Sequence, residues 1–271
     1  PDGTKPDIVV MPVGGGGLSA GLSGFLAGTV RKENFVFCEP EGAPSLKKSL
    51  ERGEPVTLNK IDNFVDGAAV ARIGDLNFKA LKDFPADQVQ LIPENAICVT
   101  IIEMLNLEGV VLEPAGALSI AALEKLGREK LEGKTVVAVV SGGNFDFERL
   151  PDVKERAMRY TGVKKYFILR LPQRPGALRE FLTLLGPDDD IARFEYLKKS
   201  ARNFGSVLIG IETSAPGNLD ALSDRLAQAG FEPRFSLPAQ LLVLVQVLAR
   251  RSGAEAGQDR LAFADPEGAA H

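Results

Sequence analysis

Residues 7–26 read DIVVMPVGGGGLSAGLSGFL. An apolar, β-branched run enters four consecutive glycines and leaves in a small-residue segment compatible with a helix. Glycine loses more conformational freedom on folding than any other residue, so four in a row need a physical reason. Close approach to the backbone supplies one: bare amide N–H groups converge on an anion, and the start of the following helix favours negative charge. A phosphate fits that description. The strand–glycine–helix unit predicts an open α/β sheet that binds its ligand at the carboxyl ends of the strands.

The rhythm continues to about residue 160. FVFCEP (35–40), QVQLIP (88–93), VVLEP (110–114) and KTVVAVVSGG (134–143) read as strands or strand ends. APSLKKSLERG (43–53), ENAICVTIIEMLNLEG (94–109) and AGALSIAALEKLG (115–127) carry the three-and-four apolar spacing of helices. Strands apolar on both faces and alternating with helices predict a parallel sheet with helices on both faces. After Gly162 the pattern changes to KKYFILRLP (strand), RPGALREFLTLLG (helix with Pro at its start), DIARFEYLKK and GSVLIGIE (strands), NLDALSDRLAQAGF (helix) and EPRFSL (edge strand). That βαββαβ order is α+β and ferredoxin-like. The predicted division is 1–161, 162–240 and a disordered tail, 241–271.

Bulk properties narrow the chemistry. The chain has 271 residues, 25% of them charged, with a net charge of −4. An acidic balance without a basic block argues against nucleic acid or an anionic membrane as the main partner. The longest apolar runs are far short of a membrane span, and no secretory signal is present, which predicts a cytoplasmic protein. The only histidine is His271, so Ser-His-Asp and Cys-His catalysis and His-built zinc sites are excluded within these residues. Cys38 and Cys98 both sit in apolar segments and read as buried thiols.

Three phosphate sites compete for the glycines. A Walker A loop needs Gly-Lys-Ser/Thr, and here Leu18 and Ser19 follow instead. A dinucleotide fingerprint is satisfied by Gly15, Gly17 and Ala20, with Glu39 ending the next strand as the ribose carboxylate. The third is a cofactor with a single phosphate, such as pyridoxal phosphate, cupped by the whole run. A second motif, VVAVVSGGNFDF (136–147), favours the third by putting Ser141 at a strand's carboxyl end. A hydroxyl there can bond a pyridine nitrogen without forcing protonation, leaving a weaker electron sink than an Asp partner would, one suited to elimination at the β carbon. Taken alone, Ser141 reads equally well as a turn residue.

Four segments together, PVGGGGLSAG (12–21), FVDGAAVARIGDLNF (64–78), VVLEPAGALSIAALE (110–124) and VVSGGN (139–144), resemble in that order the second half of the biosynthetic threonine dehydratases (threonine ammonia-lyases). Those are fold-type II pyridoxal phosphate enzymes. Residues 164–199 resemble their C-terminal ACT-like regulatory domain, in a form with one such unit. The resemblance covers about residues 5–235.

It implies that the amides of Gly14, Gly15, Gly16, Gly17 and Leu18 hold the cofactor phosphate and that Ser141 faces the pyridine nitrogen. It places Glu113 near the pocket, where a helix-capping carboxylate is an equal reading. A serine-racemase-like cation site would use Glu39 and the Ala43 carbonyl, but Ser45 stands where a third carboxylate is needed, so no metal is expected. The implied reaction is deamination of L-threonine to 2-oxobutanoate and ammonia in isoleucine biosynthesis, by a homotetramer. The implied Schiff-base lysine belongs to a Ser-x-Lys-x-Arg segment upstream of the glycines; SLKKSL (45–50) is not that segment. No catalytic residue is therefore assigned, and this chain is expected to be inactive alone, as the C-terminal part of the enzyme. Pro175 and Gly176 mark the expected effector site, for isoleucine or valine, where ordinary Pro-initiated helix geometry is an equal reading. Asp188, Asp189 and Asp190 read as a solvated loop cluster.

Overall fold

Two groups of apolar side chains divide the first strands between them, Ile8 and Val10 on one side, Val9, Met11 and Val13 on the other. A strand buried on both faces must lie inside a sheet covered twice. In the computed structural model, which describes residues 5–197, 204–231 and 234–235, β1 (Ile8–Pro12) sits between β2 (Phe35–Pro40) and β4 (Val136–Ala138), and β3 (Val89–Ile92) adds beyond β2. All three pairings are parallel. The helices α1 (Gly17–Leu26), α2 (Ser45–Arg52) and α3 (Asp75–Leu81) contribute to the core that holds Val9, Met11, Phe35 and Phe37. On the other face, α4 (Glu94–Glu103), α5 (Pro114–Leu126) and α7 (Leu150–Tyr160) pack on Ile8, Val10, Cys38 and Ile92. A short helix, α6 (Arg128–Leu131), leads into β4.

Several details depart from the sequence reading, the unread short helices α3 and α6 among them. VVLEP forms no strand: a π-helical turn, Met104–Glu108, extends α4, and the chain then runs irregularly into α5. β4 keeps only three residues of its apolar run, and as a sheet edge it leaves Val137 and Val140 exposed. Helix α7 was not anticipated. Its signals were there, in a proline within the first turn, Val153 and Ala157 four apart and buried, and an Asp152–Arg156 pair at 2.9 Å.

The division into units falls between Lys164 and Lys165, with residues 215–217 counted in the first. In the second unit, β5 (Lys164–Pro172), α8 (Ala177–Leu182), β6 (Asp190–Leu197), β7 (Phe204–Glu212), α9 (Asn218–Gln228) and β8 (Arg234–Phe235) follow the predicted βαββαβ order. The sheet order is β6-β7-β5-β8, with β6–β7 and β5–β8 antiparallel. Phe167, Leu169 and Leu171 of β5 meet Phe181 of α8 and Leu219, Leu222 and Leu226 of α9 in one core. The tail expectation for 241–271 lies outside the described residues. Among the described residues, no helix is long and apolar enough to cross a membrane.

Candidate functional site

Parallel pairing aligns the carboxyl ends of β1 and β4, and the loops that leave them are the two motifs singled out by sequence. The Val139 amide donates to the Val10 carbonyl at 2.9 Å, carrying the pairing to within two residues of Ser141. Ser19 of α1 anchors the loop after β1 by donating to the Pro12 carbonyl at 2.7 Å, and Ser119 of α5 anchors the loop after β4 by donating to Val139 at 2.6 Å. Both serines are fully buried. These bonds tie the helix starts to the strand ends, so both loops share the edge of the sheet where open α/β folds bind ligands.

The other two motifs close on the same edge through glycine contacts. A Cβ on Gly14 would lie 3.1 Å from the Ala68 Cα and from the Gly67 carbonyl oxygen. One on Gly67 would lie 2.8 Å from the Ala115 Cβ, and one on Gly116 only 2.0 Å from the Gly142 carbonyl oxygen. The order Gly14, Gly67–Ala68, Ala115–Gly116, Gly142 thus runs unbroken from the first loop to the second. Backbones approach here as only glycine permits.

The glycine run itself is an amide cup. Gly16 is the N-terminal cap of α1 in the left-handed region, at φ 86°. Among the described residues, none of the amides of Gly14, Gly15, Gly16, Gly17 and Leu18 donates to an acceptor. Gly15, Gly17, Leu18 and Ser141 are exposed, so the cup is open to a ligand. A set of free donors at the start of a ten-residue helix fits a phosphate. Among the described residues, none that meets in this cup is a lysine.

Ser141 donates to the Ala115 carbonyl at 3.3 Å, long for a hydroxyl donor. Glu113 occupies the N-cap position of α5, yet its side chain bonds none of that helix's amides. It lies across Gly142 instead, where a Cβ would come within 1.9 Å of its Oε1. The helix-capping alternative for Glu113 therefore does not describe its side chain.

Glu39 has a different role from either reading the sequence offered. Its side chain is fully buried, and it accepts from Ser45 Oγ at 3.2 Å, the Leu46 amide at 2.6 Å and the Lys47 amide at 2.9 Å. Both carboxylate oxygens are spent on the first turn of α2, leaving none for a ribose. The Ala43 carbonyl likewise accepts from the Ser45 amide, at 2.9 Å. Burial pushes the Glu39 carboxyl up from 4.5 to about 7, opposed by those two amides, the Ser45 hydroxyl and the Lys47 charge. A carboxyl that binds its proton more tightly when folded adds stability that is complete below pH 4.5 and is lost as the pH rises through 7. Urea denaturation should show about 3 kcal/mol disappearing over that window, and Glu39→Ala, less stable throughout, should lack that part of the slope. A variant with an unchanged slope would reassign the effect.

Two further groups are set aside by their surroundings. Cys98 is buried and pushed up to about 12 by desolvation, and Cys38, also buried, is raised further. Neither is a nucleophile or half of a disulfide. A cavity of about 570 Å³, lined by Ile8, Phe35, Gln88 and Gln90 among others, opens at the amino ends of the strands, opposite the glycine cup.

In the second unit a cavity of about 400 Å³ lies between the β5–α8 connection and β6. Leu171, Ala177, Leu178, Phe194 and Tyr196 give it an apolar wall, and Arg174 and Pro175 line its rim. Arg174 holds Glu180 through two bonds of 2.7 Å, which keeps that carboxyl below its usual range. Gly176 is not part of the lining; it caps α8 at φ 86°. Pro175 therefore precedes the cap, and the Pro-initiated helix expected there is corrected: a left-handed residue separates the proline from the helix.

Residues 2–142 match the sequence profile of the pyridoxal-phosphate dependent enzymes. The chain belongs to that family. Its pyridoxal-phosphate dependent part is followed by a match of residues 155–235 to the C-terminal regulatory domain of threonine dehydratase. Two relatives named L-threonine dehydratase biosynthetic IlvA are each 46% identical over 229 residues, 84% of this chain. They come from Halalkalibacterium halodurans, where the match covers 55% of the protein, and from Staphylococcus epidermidis, where it covers 53%. This family member thus spans about half the length of the curated relatives it matches. Among solved structures, the processed form of threonine deaminase isoform 2 from Solanum lycopersicum superposes with a TM-score of 0.51 at 34% identity, over 57% of this chain and 45% of that one.

Asn77 escaped the sequence reading. Its side chain donates to the Gly15 carbonyl at 2.6 Å across 62 residues, a contact that no periodicity or motif spacing announces.

Proposed function

We propose that this chain is the cofactor-phosphate and regulatory portion of an enzyme that deaminates L-threonine to 2-oxobutanoate and ammonia under amino-acid control. The observation that carries the reading is the cup of unpartnered amides at Gly14–Leu18, on the same sheet edge as Ser141. When bound, pyridoxal phosphate supplies the electron sink for loss of the α proton and the β hydroxyl. The chain's own part is to bind, orient and tune. The amides of Gly14, Gly15, Gly16, Gly17 and Leu18 take the phosphate, helped by the positive end of α1. Ser141 turns its proton from the Ala115 carbonyl to the pyridine nitrogen, at little cost because the bond it gives up is long. A neutral hydroxyl partner leaves that nitrogen unprotonated, which suits elimination over chemistry that needs a stronger sink. Glu113, beside Gly142, borders the pocket. The lysine that carries the cofactor comes from a segment outside these residues.

The second cavity suits a branched aliphatic amino acid through the apolar wall it offers the side chain. Isoleucine or valine is the effector that this chemistry fits, in a homotetramer of whole subunits in the cytoplasm.

One experiment tests both halves. The chain is assayed for 2-oxobutanoate with L-threonine and pyridoxal phosphate, alone and completed with the amino-terminal portion of the Halalkalibacterium relative. The expected result is background alone, turnover when completed, and a lower rate when isoleucine is added. Turnover by the chain alone would refute its reading as a portion without the cofactor lysine, and none in the completed enzyme would refute the enzymatic assignment; indifference to both isoleucine and valine would refute the regulatory one.

A further inference from the structure

A trans peptide points its carbonyl and its N–H in opposite directions, so whatever holds one aims the other. The peptide between Gly15 and Gly16 is held from outside the cup. Its carbonyl oxygen accepts from Asn77 Nδ2 at 2.6 Å and from the Gly74 amide at 3.2 Å. Because the partner is a carbonyl, only the amide nitrogen of the Asn77 side chain can face it. The Gly16 N–H therefore leaves on the far side, into the cup, where it is buried with no acceptor among the described residues.

Nothing local fixes that orientation. With glycine on both sides, the peptide can rotate without a Cβ to oppose it. A buried donor without a partner favours rotation until an anion arrives. Asn77 sits beneath the turn to prevent it, its Cβ 3.1 Å from where a Cβ on Gly16 would be. It is half-buried in α3, and its side chain makes no other hydrogen bond among the described residues.

We propose that Asn77 is a positioning residue of the phosphate cup: by bracing the Gly15 carbonyl it presents the Gly16 amide to the cofactor phosphate before the cofactor binds. The inference rests on the cofactor reading above and adds the element that preorganises it. Losing the brace forfeits one charge-assisted hydrogen bond to a dianion, a loss of affinity of roughly tenfold.

The test is amide NMR of this chain titrated with inorganic phosphate, against chloride at matched ionic strength. In the unsubstituted chain the amides of Gly15, Gly16 and Gly17 shift saturably. Asn77→Ala removes the donor, and Asn77→Asp keeps the side-chain shape without it. Both are expected to weaken phosphate binding about tenfold or more while the rest of the spectrum keeps its native dispersion. If either variant, natively dispersed, binds phosphate as the unsubstituted chain does, the bracing role is wrong and the cofactor site stands. If phosphate leaves the glycine amides of the unsubstituted chain unmoved, both fall. A merely structural Asn77 would change the unfolding midpoint and not the phosphate affinity.

Discussion

Alanine at Gly116 is expected to destabilise the first unit by about 3 kcal/mol or more, the upper range for overpacking. The added Cβ would sit 2.0 Å from the Gly142 carbonyl oxygen, 3.0 Å from its carbon and 3.1 Å from its nitrogen. All three are backbone atoms, so no rotamer change relieves the contact. The start of α5 and the loop after β4 must part, although Ser119 ties them through the Val139 carbonyl at 2.6 Å. Ser141 moves with that loop, so its bond to Ala115 should open as well. Gly24→Ala is the matched control. It lies exposed within α1 with nothing within 4 Å of the added carbon, and should stabilise by roughly 0.5–1 kcal/mol. Urea denaturation of the two variants reads opposite signs from the same chemical change. A Gly116→Ala variant within about 0.5 kcal/mol of the parent would show that the two backbones do not meet as described.

Gly16→Ala is expected to strike the cofactor harder than the fold. The left-handed φ of 86° costs a residue with a Cβ about 1–3 kcal/mol. The new carbon also lies 2.9 Å from Ile73 Cδ1, in a side chain with no exposure through which to yield. Relief comes by rotating φ, which swings the Gly16 amide out of the cup. Affinity for pyridoxal phosphate in the completed enzyme should fall roughly 10- to 100-fold, by loss of a hydrogen bond to a charged group. Gly15→Ala is the comparison for folding: nothing lies within 4 Å of its added carbon and its φ is not left-handed, so stability should hardly change. Equal cofactor affinity in Gly16→Ala and the parent would remove the amide cup from the reading.

Much of this was legible along the chain because it is periodic. Residues 8–13 alternate between two cores, and that alternation is present in the sequence as an unbroken apolar run. The place of Ser141, just past a strand's carboxyl end, was legible because the apolar run of that strand stops there. The role of Glu39 was not legible because its position, at the end of the second strand, suits a ribose-binding carboxylate as well as the acceptor for the first amides of α2 that it is. Sequence spacing is the same in both cases, and only the three donors around the carboxylate separate them. Helix α7 was overlooked for the opposite reason: it follows the last glycine motif, and its amphipathic signal was spread over charged pairs.

The amino-acid order by itself determined the two folds and the class of cofactor, because those follow from local pattern and from motifs kept in one order. It could not tell four adjacent glycines apart. Tertiary structure did that: Gly16 alone of the four takes the left-handed turn, because Ile73 and Asn77 lie where its side chain would be, and Asn77 turns the peptide before it. Contacts of that kind join residues some 60 positions apart. They depend on how helices settle onto the sheet, which is set by the packing of both cores and not by any single stretch of sequence.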